Sequence, residues 1–307
     1  YKNAGYKSIA EFLSNCTPRS SQTTIPEEIS QETSAGTIGL LVLSKLRSSS
    51  VLTDNLTAAQ TDASENAYTV EPFTEDCFGH LSWGRLGNLI LRCASMHAGS
   101  HGFGYEQMQA EHHAWVLSRL VIEMERPLLT GREFRIETWV DRLYRQFTDR
   151  HFSVLRPDGS AYGHASSIWA LIDTETRLPA DLTQLPEGSF ADILMPGTTP
   201  PIAPMARMRM KEPQLVATHK AAYCDLDING HVNSIRYIEL MRNRLDADAV
   251  RSRGGRRIEV AYCLEAYCHD ELQIWTAADE ANPARTLFEI RKTTGEVVVK
   301  AAFTLRA

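Results

Sequence analysis

Residues 225–237 read Asp-Leu-Asp-Ile-Asn-Gly-His-Val-Asn-Ser-Ile-Arg-Tyr, which sets a carboxylate (Asp227), a carboxamide (Asn229) and an imidazole (His231) at alternate positions just before a helical pattern. These are the ingredients of proton transfer with an orienting group beside it, and a positioned general base contributes about 10²–10⁴-fold to a rate. The same string also suits an Asn-Gly turn with Asp and His as caps. An echo lies 151 residues earlier, where Asp76, Gly79, His80, Arg85 and Leu89 anticipate Asp227, Gly230, His231, Arg236 and Leu240. The chain therefore reads as internally duplicated. In the first copy Phe78 replaces Asn229, so Asp76 and His80 are expected to cap or anchor a helix there rather than do chemistry.

The elements that must carry these groups follow the same order in each half. Leu86, Leu89, Ile90 and Cys93, and again Ile235, Ile238, Met241 and Leu245, recur at helical spacings, with Ser82 and Asn233 as matching N-caps. Strands are expected over 115–125, 133–140, 149–155 and 162–172 in the first half. In the second they are expected over 258–267, 272–277, 286–292 and 297–306. Pro157-Asp158-Gly159 and Thr294-Gly295 supply hairpin turns. One long helix plus several antiparallel strands per half is an α+β unit whose sheet can wrap the helix.

Composition bounds the rest. With 43% hydrophobic and 23% charged residues, the 307-residue chain can build two domains with real cores. Residues 1–66 are Ser-, Thr-, Gln-, Asn- and Glu-rich with poor periodicity and read as a flexible segment. Six of the 13 prolines (Pro179, Pro186, Pro196, Pro200, Pro201, Pro204) crowd the connector between halves. The expected division is thus 1–66, a first domain 67–180, a Pro-rich linker 181–212 and a second domain 213–307. The apolar run Ile38–Leu43 falls far short of the roughly 20 residues that cross a bilayer. Six scattered cysteines suggest neither a disulfide framework nor a zinc ribbon, and a reducing cytoplasm is the default. A net charge of −6 argues against general nucleic-acid binding. His97, His101, His112 and His113 with Cys93 match no zinc-ligand spacing, and no metal is expected.

The whole segment Asp225–Glu239 resembles the signature of acyl-acyl-carrier-protein thioesterases. So do Trp83-Gly-Arg-Leu-Gly-Asn88, Trp115-Val-Leu-Ser-Arg119, Phe147-Thr-Asp-Arg150 and Arg257-Ile-Glu-Val-Ala-Tyr262 leading to Glu265. The resemblance covers about residues 67–307 as two tandem hotdog domains, an α+β pseudo-dimer in one chain, with a further homodimer optional. It implies that Asp227, Asn229, His231 and Glu265 form the catalytic group, with Glu265 or Asp227 activating water, His231 polarising or protonating, and Asn229 orienting. Amides near Val232 to Ile235, at a helix start, are candidates to attract developing negative charge. Plant members usually carry Cys after the glutamate; here Ala266 stands there, which leaves water attack.

The resemblance further implies a soluble, cytoplasmic hydrolase without metal or organic cofactor, releasing fatty acid from acyl-carrier protein. Hydrolysis of acyl-CoA, or acyl binding without turnover, are the alternatives. Pro127 falls opposite Glu265, so the first half is expected to be silent and to shape an acyl pocket, with Trp83, Leu86, Ile90, Trp115, Phe134 and Trp169 as linings. Arg251, Arg253, Arg256 and Arg257 immediately precede the strand carrying Glu265 and could receive an acidic carrier, or could be a solvated loop; Arg207, Arg209 and Lys211 are second candidates.

Overall fold

The computed structural model describes residues 67–184, 190 and 193–307; the segment 1–66 lies outside the described residues. The first half supplies β1 (Ala67–Thr69), α1 (Trp83–Ser100), α2 (Tyr105–Ala110), β2 (His113–Met124), β3 (Glu133–Leu143), β4 (Phe147–Leu155) and β5 (Ala161–Asp173). The second supplies β6 (Gln214–Lys220), α3 (Ser234–Arg242), α4 (Ala247–Arg253), β7 (Gly255–Tyr262), β8 (Glu271–Ala278), β9 (Arg285–Lys292) and β10 (Val297–Leu305).

All ten strands join one antiparallel sheet in the order β1-β3-β4-β5-β2-β7-β10-β9-β8-β6. Read outward from the centre, each half has the same order, so the duplication in sequence is a duplication in topology. The halves meet where β2 pairs with β7, with Leu120 opposite Val260 and Ile122 opposite Ile258. All four of these side chains are buried, and they share one core with Ile90 of α1 and Ile238 of α3. The two long helices cross at glycines: a Cβ on Gly87 would stand 2.7 Å from Ile235 Cδ1, and one on Gly84 would overlap Glu239. No helix among the described residues is long and apolar enough to cross a membrane.

Departures from the sequence reading are instructive. Edge strands β1 and β6 carry no apolar alternation, β6 being mostly exposed, so no period announced them. Helix α1 runs about two turns past its apolar pattern, through Gly99, to Ser100. The strand expected to reach residue 267 ends at Tyr262, where Cys263 N and Leu264 N both turn to Val298 O. Glu265 therefore lies on the turn beyond the strand.

Strand β7 is buried on both faces because part of the connector crosses its outer side. There Arg257 donates to the Ala203 and Pro204 carbonyls, and Ala206 N donates to Glu259 Oε1 at 2.7 Å. Glu259, only 2% exposed, also receives Arg257 at 3.2 Å and Arg285 Nε at 3.0 Å. Removing one partner of a buried ionic cluster strands the others, at a cost of about 3–5 kcal/mol. Glu259→Ala is therefore expected to lower unfolding stability by that amount in urea melts, and a loss below about 1 kcal/mol would contradict this role.

Candidate active site

The loop ahead of α3 is built by its own hydrogen bonds. Asp227 Oδ1 accepts from Asn229 N at 2.9 Å and His231 N at 3.2 Å, while Asp227 N donates to His231 O and Gly230 N to Asp227 O. Gly230 sits at φ 76°, a left-handed conformation that glycine adopts without steric cost. Asn233 then caps α3, its side chain accepting from Ile235 N. The result is a rigid turn that holds the His231 ring.

Glu265 meets that ring from the turn after β7. Its Oε1 lies 3.8 Å from His231 Nδ1, and its Oε2 accepts from Tyr267 Oη at 2.9 Å and from Arg177 at 2.5 Å. Tyr267 pairs with His231 through the backbone and packs its ring edge-on against the imidazole, centroids 5.1 Å apart. Partial burial, then the hydrogen bond and charge of Glu265, hold the Tyr267 phenol above its usual range, so it stays a donor. No sequence signal marks Arg177 or Tyr267 as partners of Glu265. Arg177 arrives from the first half, 88 positions away, and no local pattern marks it.

The amides near the start of α3 are mostly committed. Val232 N donates to Ala266 O, Asn233 N to Asp225 O, and Ile235 N to the Asn233 cap. Developing negative charge must therefore be met chiefly by side chains, a correction to the expectation placed on this helix end. Ala266 is fully buried, and burial pushes the nearby Cys263 thiol up, away from the thiolate form a nucleophile needs.

The first copy reproduces the loop bond for bond. Asp76 Oδ1 accepts from Phe78 N and His80 N, Asp76 N donates to His80 O, Gly79 sits at φ 75°, and Ser82 caps α1. His80 bridges to Leu129 as His231 bridges to Tyr267, and Leu81 N donates to Leu128 O as Val232 N does to Ala266 O. Pro127 thus stands where Glu265 does in the second copy, and Leu129 where Tyr267 does.

A cavity of about 220 Å³ opens at this end of the molecule, between α1, α2 and the sheet of the first half, and Asn229 of the second half reaches its lining. Leu91, Ala94, Ser95 and Ala98 face it from the last turns of α1, at i, i+3, i+4 and i+7. Three of the four are small, which leaves the space. Of the expected linings, Trp115 and Trp169 face this cavity. Trp83 and Leu86 line a separate space of about 30 Å³ beside Asp76 and His80, and Ile90 and Phe134 are packed in the core. The first turns of α1 face α3 and the central strands; its later turns overhang the larger cavity.

The four arginines lie elsewhere. Arg251 and Arg253 end α4, and Arg256 and Arg257 start β7, near the small space by His80. At about 3.3 Å per residue, the chain from Arg257 to Glu265 spans up to about 26 Å, so neighbours in sequence sit at opposite ends of the strand. Arg257 is 10% exposed and pairs with Glu123 and Glu259; Arg256 also pairs with Glu123. Arg251 lies over the Phe78 ring, and Arg253 Nε donates to Arg306 O. Arg207 and Arg209 are exposed on the connector, and Lys211 pairs with Glu280.

Asp225, 3% exposed, anchors the loop from beneath. It accepts from Ala222 N at 2.8 Å, His219 Nε2 at 2.7 Å and Arg236 Nε at 2.6 Å. Burial alone would raise its pKa, but these hydrogen bonds together hold it below the usual carboxylate value. A depressed folded-state pKa gives stability that is present above the unfolded value of about 3.9 and lost as pH falls through the folded value. The gap in unfolding midpoint between wild type and Asp225→Asn is therefore expected to be wide at pH 6 and to narrow as pH falls below about 3.9; a constant gap would contradict this.

Residues 62–185 match the family model described as the acyl-ACP thioesterase N-terminal domain, and residues 209–307 the one described as its C-terminal domain. A solved acyl-ACP thioesterase from Bacteroides thetaiotaomicron is 39% identical, with a TM-score of 0.72 over 78% of this chain and 96% of that one. A 12:0-ACP thioesterase from Umbellularia californica, 18% identical, shares the fold at a TM-score of 0.69 over 78% of this chain and 95% of that one. A chloroplastic palmitoyl-acyl carrier protein thioesterase of Gossypium hirsutum is 23% identical over 200 residues, 63% of this chain and 48% of that protein. The chain spans about half the length of the curated relatives it matches, or less. With both domain models matched over most of its described residues and a solved relative 39% identical across nearly its whole length, the chain belongs to the acyl-ACP thioesterase family.

Proposed function

We propose that this chain hydrolyses the thioester of a fatty acyl group on acyl-carrier protein and releases the free acid, without a metal or organic cofactor, in a reducing compartment such as the cytoplasm. The observation that carries the reading is the pairing of Glu265 with His231, 3.8 Å apart, on the loop whose Asn229 lines a largely apolar cavity of about 220 Å³. Buried apolar surface holds the chain, at about 0.8 kcal/mol per methylene, and polar groups wait at its mouth.

In this reading Glu265 takes the proton from a water that attacks the thioester carbonyl carbon. Arg177 and Tyr267 fix its other oxygen, so the carboxylate points one edge at His231. Asn229 and His231 stabilise the tetrahedral oxyanion, and the pantetheine thiolate then leaves and is protonated. Asp227 has a different task. Its counterpart Asp76 makes the same amide bonds in the first copy, where Pro127, Phe78 and Leu129 replace Glu265, Asn229 and Tyr267; the aspartate shapes the loop, and the replaced residues carry the chemistry. The division into a substrate-holding first domain and a reacting second domain, acting as a pseudo-dimer, follows from the same contrast.

Glu265→Gln is expected to lower kcat for acyl-ACP hydrolysis by about 10²–10⁴-fold, the range for a lost general base. Asp227→Asn should also impair turnover, whereas Asp76→Asn should leave it within about twofold, read as thiol release. Equal rates in all three would overturn the site. At matched chain length, acyl-ACP is expected to exceed acyl-CoA in kcat/KM, and the reverse order would make this an acyl-CoA enzyme.

A further inference from the structure

One buried cation in the cavity wall has no role in hydrolysis. Arg150 projects from β4 into the space beneath α1 and is only 7% exposed. Its Nη1 donates to Thr138 Oγ1 at 3.2 Å and faces His97 Nδ1 at 3.2 Å. Among the described residues no carboxylate lies within ion-pair distance of it. Two arginines of similar burial are met by carboxylates: Arg257 by Glu123 and Glu259, and Arg285 by Glu259 and Asp279. Burial pushes the Arg150 pKa down to about 10, which still leaves it protonated at neutral pH.

Its surroundings form a polar node in an otherwise greasy wall. Thr148, two positions earlier on the same face of β4, and Ser95 of α1 line the same cavity, amid Leu91, Phe103, Met108 and Trp169. Strand β4 lies two places from β2, so the node is about 10 Å across the sheet from the strand that carries Trp115. A plain alkyl chain driven this far would strip water from a guanidinium and return nothing to it. A chain oxygen at this depth would accept a charge-assisted hydrogen bond and leave the cation satisfied.

We propose that Arg150, with Thr148 and Ser95, is a recognition site for an oxygen substituent on the acyl chain remote from the thioester. The substrate is then an oxygenated acyl thioester, bearing a hydroxyl or carboxylate along or at the end of its chain. This rests on the hydrolase reading above. It is tested with three series of acyl-ACP of matched length, unsubstituted, hydroxylated and terminally carboxylated, on wild type, Arg150→Met and Arg150→Lys.

Wild type is expected to favour one oxygenated series by tenfold or more in kcat/KM, with the better of the two naming the substituent. Arg150→Met should abolish that preference while improving the unsubstituted chain, and Arg150→Lys should retain part of it. A wild-type preference for unsubstituted chains at every length would overturn the proposal, as would an Arg150→Met that slows all three series alike. Calorimetry with the corresponding free acids separates the two readings. A retained preference for the oxygenated acid without any thioester cleavage would remove the hydrolase and keep the subsite. Cleavage with equal binding of all three acids would remove the subsite and keep the hydrolase.

Discussion

The pairing of β2 with β7 is the contact on which the rest of this molecule depends. It fuses two five-stranded halves into one sheet, buries Leu120, Ile122, Ile258 and Val260 at the seam, and lets α1 and α3 cross at Gly84 and Gly87. Because the two strands run antiparallel, the end of β7 that leads to Glu265 lies beside the start of β2, where Trp115 stands. The loop that carries Asp227, Asn229 and His231 in one half is thereby set at the cavity of the other. Neither half alone holds both parts.

Duplication with divergence explains how one end came to hold a cavity of about 220 Å³ and the other only about 30 Å³. The loop scaffolds are the same, down to the glycine with φ near 75° and the aspartate that gathers two amides. What changed are the side chains the scaffold presents and the helix that overhangs it. Helix α3 stops at Arg242, and that arginine fills the space beside Asp76. Its counterpart at the same helical position, Leu91, begins the row of small residues that roofs the cavity. The longer helix and smaller side chains leave more room than the other end retains.

Charge is distributed with similar economy. Carboxylates under the connector neutralise Arg257 and Arg285, so those cations clamp the outer face of the sheet and are closed to a partner. Arg177 is half exposed and holds Glu265, tying the two halves together at the candidate site. Low dielectric makes such paired charges strong, and among the described residues Arg150 meets Thr138 and His97 rather than a carboxylate.

The sequence by itself determined the duplication, the α+β class, the helix caps Ser82 and Asn233, and most strands. Each of these is written in local spacing, since period, turn residues and caps act within a few positions. It also marked Asp227, Asn229 and His231, because one short loop holds all three. Tertiary structure alone decided that Glu265 leaves its strand to meet His231, that Arg177 comes from the other half to hold it, and that Trp115 and Trp169 face the cavity while Trp83, Ile90 and Phe134 are core. It also decided that Arg251–Arg257 sit a strand's length from the site. Those outcomes depend on which faces and ends meet across the β2–β7 seam, and an apolar or charged residue looks the same in sequence whichever side of that seam it reaches.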